Sequence, residues 1–319
     1  MKKELNFPGL SDDLRGRDFI ALKEFSPAEI NLMVNTGIEL KIKLKNNEQY
    51  QPLAGKSLGM IFHKASTRTR VSFQVGMFQL GGQALFFNQN ELQLGRGEPL
   101  PDTARVMARY VDGIVIRTFA HQLVTDFAQW SDVPIINGLT DFLHPTQVLA
   151  DLITIKEQKG TLAGLKIAYI GDGNNMAHSL MVGCGKVGMN VAIASPEGYM
   201  PDDAITKIAA QAAHAAGAEL LVTHDVKEAV MDADVIYTDV WASMGQEEEQ
   251  KIREKAFAGY QVNDKIAAYA KQDYMFLHCL PAHRGEEVTA DIIDGKHSVV
   301  FDEAENRLHA HKAIMALTM

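Results

Sequence analysis

Apolar and polar positions follow two rhythms along this chain, and the rhythms take turns. Short apolar runs such as Leu58-Gly-Met-Ile-Phe62, Gly113-Ile-Val-Ile-Arg117 and Leu165-Lys-Ile-Ala-Tyr-Ile170 read as buried strands. Between such runs, apolar residues recur at helical spacing. Ile30, Met33, Val34, Gly37 and Leu40 form one stripe, after a Ser26-Pro27-Ala28-Glu29 start that offers an N-cap, a proline in the first turn and a capping-box glutamate. The same reading predicts further strands near 83–87, 134–137, 191–194, 219–223, 235–238, 275–278 and 298–301. It predicts helices at about 67–80, 102–109, 121–131, 145–159, 176–187, 201–216, 226–232, 246–257, 264–270 and 287–294, and from Glu305 to about Leu317. Strand–helix alternation over both halves implies two α/β domains with mostly parallel sheets. The hinge is placed near residue 150, with the last helix packing back on the first domain.

The stretch His63-Lys64-Ala65-Ser66-Thr67-Arg68-Thr69-Arg70 stands between a strand and a helix whose stripe begins with Val71, Val75 and Phe78. Free backbone N–H groups and the positive end of a helix dipole meet there, which suits a phosphate. The hydroxyls and the Arg68 guanidinium add charge-assisted hydrogen bonds of about 1.5–3 kcal/mol each. The alternative is a plain Ser66 cap beside solvated arginines. The Gly-Lys-Ser/Thr spacing of a Walker loop is missing.

Other reactive residues stand where strands end, the edge at which open α/β sheets collect ligands. Arg117 closes the strand at 113–116, and a buried arginine there calls for an anion. His144 and Gln147, in His-Pro-Thr-Gln, share a face at a helix start and serve either a ligand or the helix end. Gly171-Asp-Gly-Asn-Asn-Met176 is a poor dinucleotide fingerprint, since Met176 replaces the third glycine and no acid closes the next strand. Its backbone donors and amides suit a carboxylate. Asp239 ends the strand 235–238 and suits a ligand cation or a helix cap. Pro281 cuts off the strand 275–278, leaving the Cys279 and Leu280 carbonyls available. Cys279 reads as a nucleophile or a metal ligand, yet no second cysteine has zinc spacing and His309-x-His311 reads as helix surface. Cys184 reads as core. The loop 88–101, with Gln93 and Arg96, is long enough to be functional.

Composition narrows the classes. At 319 residues, 46% apolar and 22% charged, with a net charge of -9 and a pI near 5.7, the chain is an ordinary acidic globular protein. That balance argues against nucleic acid or an anionic membrane as partner. Two cysteines point to a reducing compartment, and neither a signal-peptide core nor a long apolar run is visible, so cytoplasm is expected.

Ser-Thr-Arg-Thr-Arg at 66–70, His-Pro-Thr-Gln at 144–147, Asp239 with Ser-Met-Gly at 243–245, and His-Cys-Leu-Pro at 278–281 occur in the order found in one family. Over essentially its whole length the chain closely resembles the aspartate/ornithine carbamoyltransferases, the last two motifs marking the ornithine branch. The resemblance implies two Rossmann-like domains joined by interdomain helices. Residues 1–149, with 305–319, would bind carbamoyl phosphate, and 150–304 would bind the amino acid. It assigns the phosphate to Ser66, Thr67, Arg68 and Thr69, with Arg117 bridging phosphate and carbonyl. His144 and Thr69 would polarise the carbonyl oxygen. Gln147 and the Cys279 and Leu280 carbonyls would hold the carbamoyl amide, and Arg307 would complete the pocket. Asn175 would bind the ornithine carboxylate, Asp239 and Ser243 its α-amino group, with Met244 alongside. Arg117, His144, Cys279 and Asp239 would be the catalytic set. The implied reaction transfers the carbamoyl group to the side-chain amine of ornithine without metal or cofactor, in a trimer or a multiple of trimers whose 88–101 loop reaches a neighbour's site. Putrescine or an N-acylated ornithine as acceptor, or a catalytically silent binding protein, are the alternatives. Charge favours ornithine over aspartate, because Thr-Asp-Val-Trp-Ala-Ser-Met-Gly at 238–245 offers an acid and no base.

Overall fold

The computed structural model describes residues 14–92, 97–242 and 249–319. It contains two all-parallel sheets. In the first, β1 (Ser57–Phe62), β2 (Gln83–Asn88), β3 (Gly113–Arg117) and β4 (Ile135–Leu139) lie in the order β2-β1-β3-β4. In the second, β5 (Lys166–Ile170), β6 (Asn190–Ala194), β7 (Leu220–Thr223), β8 (Val235–Thr238) and β9 (Met275–His278) lie in the order β7-β6-β5-β8-β9. Phe62 registers with Arg117, and Ile170 with Thr238. At each of these strand pairs the winding reverses, and such a reversal opens a crevice at the carboxyl edge.

Strand alternation decides which helices cover which face. Leu58, Met60 and Phe62 point into a core shared with α2 (Thr67–Gln79), α5 (Pro145–Lys159) and α12 (Val300–Thr318). Ile61, Ile114 and Ile116 point the other way, toward α3 (Leu100–Ala108) and α4 (His121–Trp130). In the second sheet Ile167 and Tyr169 meet α6 (Asn175–Lys186), while Ala168 and Ile170 meet α8 (Val226–Val230) and α11 (Ala290–Ile293). α7 (Asp203–Ala215) packs on α6, and the short α9 (Gln250–Ala256) and α10 (Asp264–Ala267) complete the second layer. One core runs without a break from Met60 through Leu149 and Leu152 of α5 to Tyr169 and Tyr237.

The local signals hold where they are chemical. α1 (Pro27–Lys45) starts with the full capping box: Glu29 N–H donates to Ser26 Oγ at 3.2 Å and Ser26 N–H to Glu29 Oε2 at 2.6 Å. Gly160 ends α5 at φ +77°, which glycine adopts without steric cost. Gly173 is required by closeness, since a Cβ there would lie 2.2 Å from Pro201 N.

Three expectations fail. The strand at 298–301 is a single bridge from Ser298 to Phe276, after which Val300 opens α12, five residues before the expected Glu305. Asp302 and Glu303 in its first turn favour a helix start. Second, α2 buries Phe73, Gly76 and Met77, while Val71, Val75 and Phe78 face outward at 50%, 37% and 76% exposure. Third, His309 and His311 are buried, because α12 is wrapped by α1, α2 and α5.

Candidate active site

The first crevice gathers guanidinium groups. Ser66 caps α2, its Oγ accepting from Thr69 N–H at 3.2 Å and donating to Thr69 Oγ1 at 3.0 Å. Arg307, one face of α12, donates to that same Thr69 Oγ1 at 2.9 Å and to Gln147 Oε1 at 2.7 Å. Its Nη1 lies 3.4 Å from His144 Nε2. Arg117 is buried at the end of β3 with its Nε unpartnered. Burial and the neighbouring Arg307 and Arg68 push Arg117 down to about 9, and burial with Arg68 pushes Arg307 down to about 10. Concentrated, poorly solvated positive charge of this kind is relieved by an anion. The same burial and the arginines hold His144 well below the usual imidazole range, so the ring is neutral.

The second crevice gathers amides and a carboxylate. Asn174 caps α6 by accepting from Met176 and Ala177 N–H, and its Nδ2 donates to Asp239 Oδ2 at 3.2 Å. Asn175 donates to Thr140 O at 2.6 Å, anchoring the turn to the first layer. Asp239 Oδ1 accepts from Val240 N–H at 2.8 Å and from the Cys279 thiol at 3.1 Å. Burial and Asp239 raise the Cys279 thiol well above its ordinary range. It is therefore a protonated donor, which disfavours a nucleophilic thiolate. Asp172 is neutralised by Arg253 at 2.7 Å.

Asp239, His278 and Cys279 bring ligand-type atoms within 4.8 Å, but the set fits a metal poorly. Leu280 N–H donates to His278 Nδ1 at 2.9 Å and Glu287 Oε1 meets Nε2 at 3.1 Å, so both ring nitrogens are committed.

One cavity of about 530 Å³ joins the crevices. Ser66, Thr67, Arg68, Arg117, His144 and Arg307 line one side, and Asn175, Asp239, Cys279 and Leu280 the other. Arg68 spans the two, donating through Nη2 to Leu280 O at 2.5 Å. Thr69 and Gln147 are fully buried one step behind, touching the cavity through Arg307. Ser243 and Met244 lie outside the described residues, as do Gln93 and Arg96. Asn174 lines the cavity too, as the reading of its turn as a carboxylate site expects, whereas sequence reasoning gave no role to Lys64 or Asp172, which also line it. Lys64 is paired with Asp141 and sits over the Phe119 ring at 4.4 Å. A lysine two residues before the Ser66 cap was the available signal.

Comparison with known proteins agrees with this geometry. Residues 17–157 match the carbamoyl-P binding domain of aspartate/ornithine carbamoyltransferase, and residues 163–318 match its Asp/Orn binding domain. The chain is 58% identical over 302 residues to the ornithine carbamoyltransferase of Anoxybacillus flavithermus, covering 95% of this chain and 96% of that one. It is 55% identical over 306 residues to the anabolic ornithine carbamoyltransferase of Pyrococcus furiosus, covering 96% and 97%. The solved structure of ornithine carbamoyltransferase from Pyrococcus furiosus superposes with a TM-score of 0.93 at 55% identity, over 96% of this chain and 98% of that chain. Two parallel sheets, two oppositely charged crevices and both domain matches lead to one conclusion: the chain belongs to the aspartate/ornithine carbamoyltransferase family.

Proposed function

We propose that the joined cavity transfers the carbamoyl group of carbamoyl phosphate to the side-chain amine of L-ornithine, giving L-citrulline and phosphate. The observation that carries this is the polarity of one cavity, with guanidiniums at one end and Asp239 with two asparagines at the other. An acyl phosphate belongs at the first end and an α-ammonium at the second. Ser66, Thr67 and Arg68 take the phosphate, and Arg117 bridges phosphate and carbonyl. His144, being neutral, donates one ring N–H toward the carbonyl oxygen, and the Cys279 and Leu280 carbonyls receive the carbamoyl amide. Asn175 takes the ornithine carboxylate, and Asp239 its α-ammonium.

The amine must arrive neutral. With a lysine-like pKa near 10.4, only about 1 in 2,500 copies is free base at pH 7. It attacks the carbonyl carbon, negative charge grows on the carbonyl oxygen, and the C–O bond to phosphate breaks as the carbonyl re-forms. The proton shed by the new C–N nitrogen passes to the departing phosphate or to solvent. Donors already aimed at both sites of developing charge supply the main catalytic contribution. Holding two substrates at opposite ends of one cavity supplies the rest.

Aspartate would bring a second carboxylate to the Asp239 end, where the described base, Arg253, is already tied to Asp172 and Glu249. The test is citrulline formation by the purified protein, with aspartate, putrescine and an N-acylornithine as competing acceptors. Ornithine should be preferred, and equal use of aspartate would overturn the reading. The name of the anabolic relative supports a place in arginine biosynthesis. No described helix is long and apolar enough to cross a membrane, and a cytoplasmic setting accords with that. We divide the chain into 1–149 with 305–319 for carbamoyl phosphate and 150–304 for ornithine. Assembly as a trimer or a multiple of trimers needs an interface, for which the outward apolar stripe Val71, Val75 and Phe78 on α2 is suited; light scattering at assay concentration tests the number of subunits.

A further inference from the structure

Behind Arg307 lies a buried polar cluster with no part in the contacts described so far. Asp151 on α5 and Glu303 on α12 are both at 0% exposure, and both accept from Gln147 Nε2, at 2.9 and 3.0 Å. Glu303 has two further donors: the Tyr237 hydroxyl on Oε1 at 3.0 Å and the His278 backbone N–H on Oε2 at 2.8 Å. Asp151 has none. Its Oδ2 is buried without an N–H or O–H donor, and the other group it meets is the Glu303 carboxyl. Among the described residues no lysine or arginine pairs with either acid, since Arg307 spends Nη1 on Gln147 Oε1 and Nη2 on Thr69.

Two buried carboxyls in contact, without a counter-ion, do not both ionise. The donors decide which one does. Glu303, with three, is the stabilised anion, and Asp151 keeps a proton. We infer that Asp151 and Glu303 share one proton, carried by Asp151 and donated to Glu303, and that the pair is a positioning device for Gln147. Burial and the charge of Glu303 act in the same direction, raising the Asp151 carboxyl well above its ordinary range.

The amide of Gln147 then has one usable orientation. Its NH2 donates to both carboxyls, so Oε1 must face Arg307; the flipped amide would set oxygen against two carboxyl oxygens. Arg307 is thereby held toward Thr69 and His144. Through the His278 N–H, the same Glu303 fixes the strand end that carries Cys279 and Leu280. Neither acid touches substrate; both act through Gln147, Arg307 and β9.

Infrared difference spectroscopy on the whole enzyme tests the proton directly. A protonated-carboxyl C=O stretch is expected at neutral pH in the wild type and should vanish in Asp151→Asn. Absence of that band, or its survival in Asp151→Asn, overturns the shared proton. Kinetics test the positioning role. Asp151→Ala should lower kcat roughly 30-fold, less than the loss of a catalytic donor outright. Asp151→Asn should recover most of that loss, because its amide N–H stands where the acid proton stood. An asparagine variant as slow as the alanine variant overturns the proposal. The kinetic arm rests on the carbamoyl-transfer reading and the infrared arm does not. A wild type that forms no citrulline would therefore remove the reading and leave the proton still tested.

Discussion

At the carboxyl edge of the first sheet, β1 and β3 deliver Ser66, Arg68 and Arg117, and α12 adds Arg307. At the same place in the second sheet, β5 and β8 deliver Asn174, Asn175 and Asp239. The strand logic is the same: a winding reversal, a turn into a capped helix, and side chains aimed into the gap. Only the chemistry at the edge differs. Parallel-sheet topology therefore places a ligand, and the few residues just past the strand ends choose its charge.

The largest expected effect breaks the cationic end. Arg117→Ala removes a buried guanidinium, which should cost about 2–5 kcal/mol, roughly 30- to several-thousand-fold in kcat/KM for carbamoyl phosphate. Steady-state kinetics with each substrate varied will show it, and unchanged carbamoyl phosphate kinetics would dismantle the anion assignment. Next comes the acidic end. Asp239→Asn removes the charged acceptor and should weaken ornithine by about 1.5–3 kcal/mol, or about 10- to 150-fold, while carbamoyl phosphate saturation stays put. A variant that loses both substrates equally would mean that the two ends are not separable.

A smaller effect concerns what burial of the histidines does to stability. His144, His178, His309 and His311 are buried and held below the ordinary imidazole value, so below pH 6.5 the unfolded chain takes up protons that the native one refuses. Asp151, which holds the proton it shares with Glu303, works in the opposite sense. The balance is up to three protons in favour of unfolding, roughly 2–3 kcal/mol lost between pH 6.5 and 5.5. Denaturant midpoints across that range should fall with pH; a flat profile would show that the histidines are solvated. The smallest effect is a control distant from both crevices. Ser26→Ala at the capping box should cost about 1 kcal/mol of stability and leave the kinetics of both substrates alone.

Much of this was legible along the chain because the decisive signals were local. Ser66 reads as a cap, Arg117 as a strand-end cation and Gly160 as a helix stop from a few neighbours each. What escaped was set by partners distant in sequence. Ser298-Val-Val-Phe301 has strand propensity, yet Val300 packs into the second sheet's core and the acids after it start a helix. Spacing alone offers Val71, Val75 and Phe78 as the α2 stripe, but the strands α2 lies on select Phe73 and Met77. Gln147 was visible as a polar residue one helical step from His144. That it faces Arg307 and two acids depends on Glu303, 156 residues away.

α12 begins at Val300, after every strand of both sheets has been made, and it carries both Arg307 and Glu303. During synthesis, then, every strand emerges before the helix that completes both the core and the site. A nascent chain halted before this helix holds all nine strands yet lacks the guanidinium that spans Thr69 and Gln147. Such a chain also lacks the wall that α12 gives the core where it packs against α1, α2 and α5, so site and core are completed in one step.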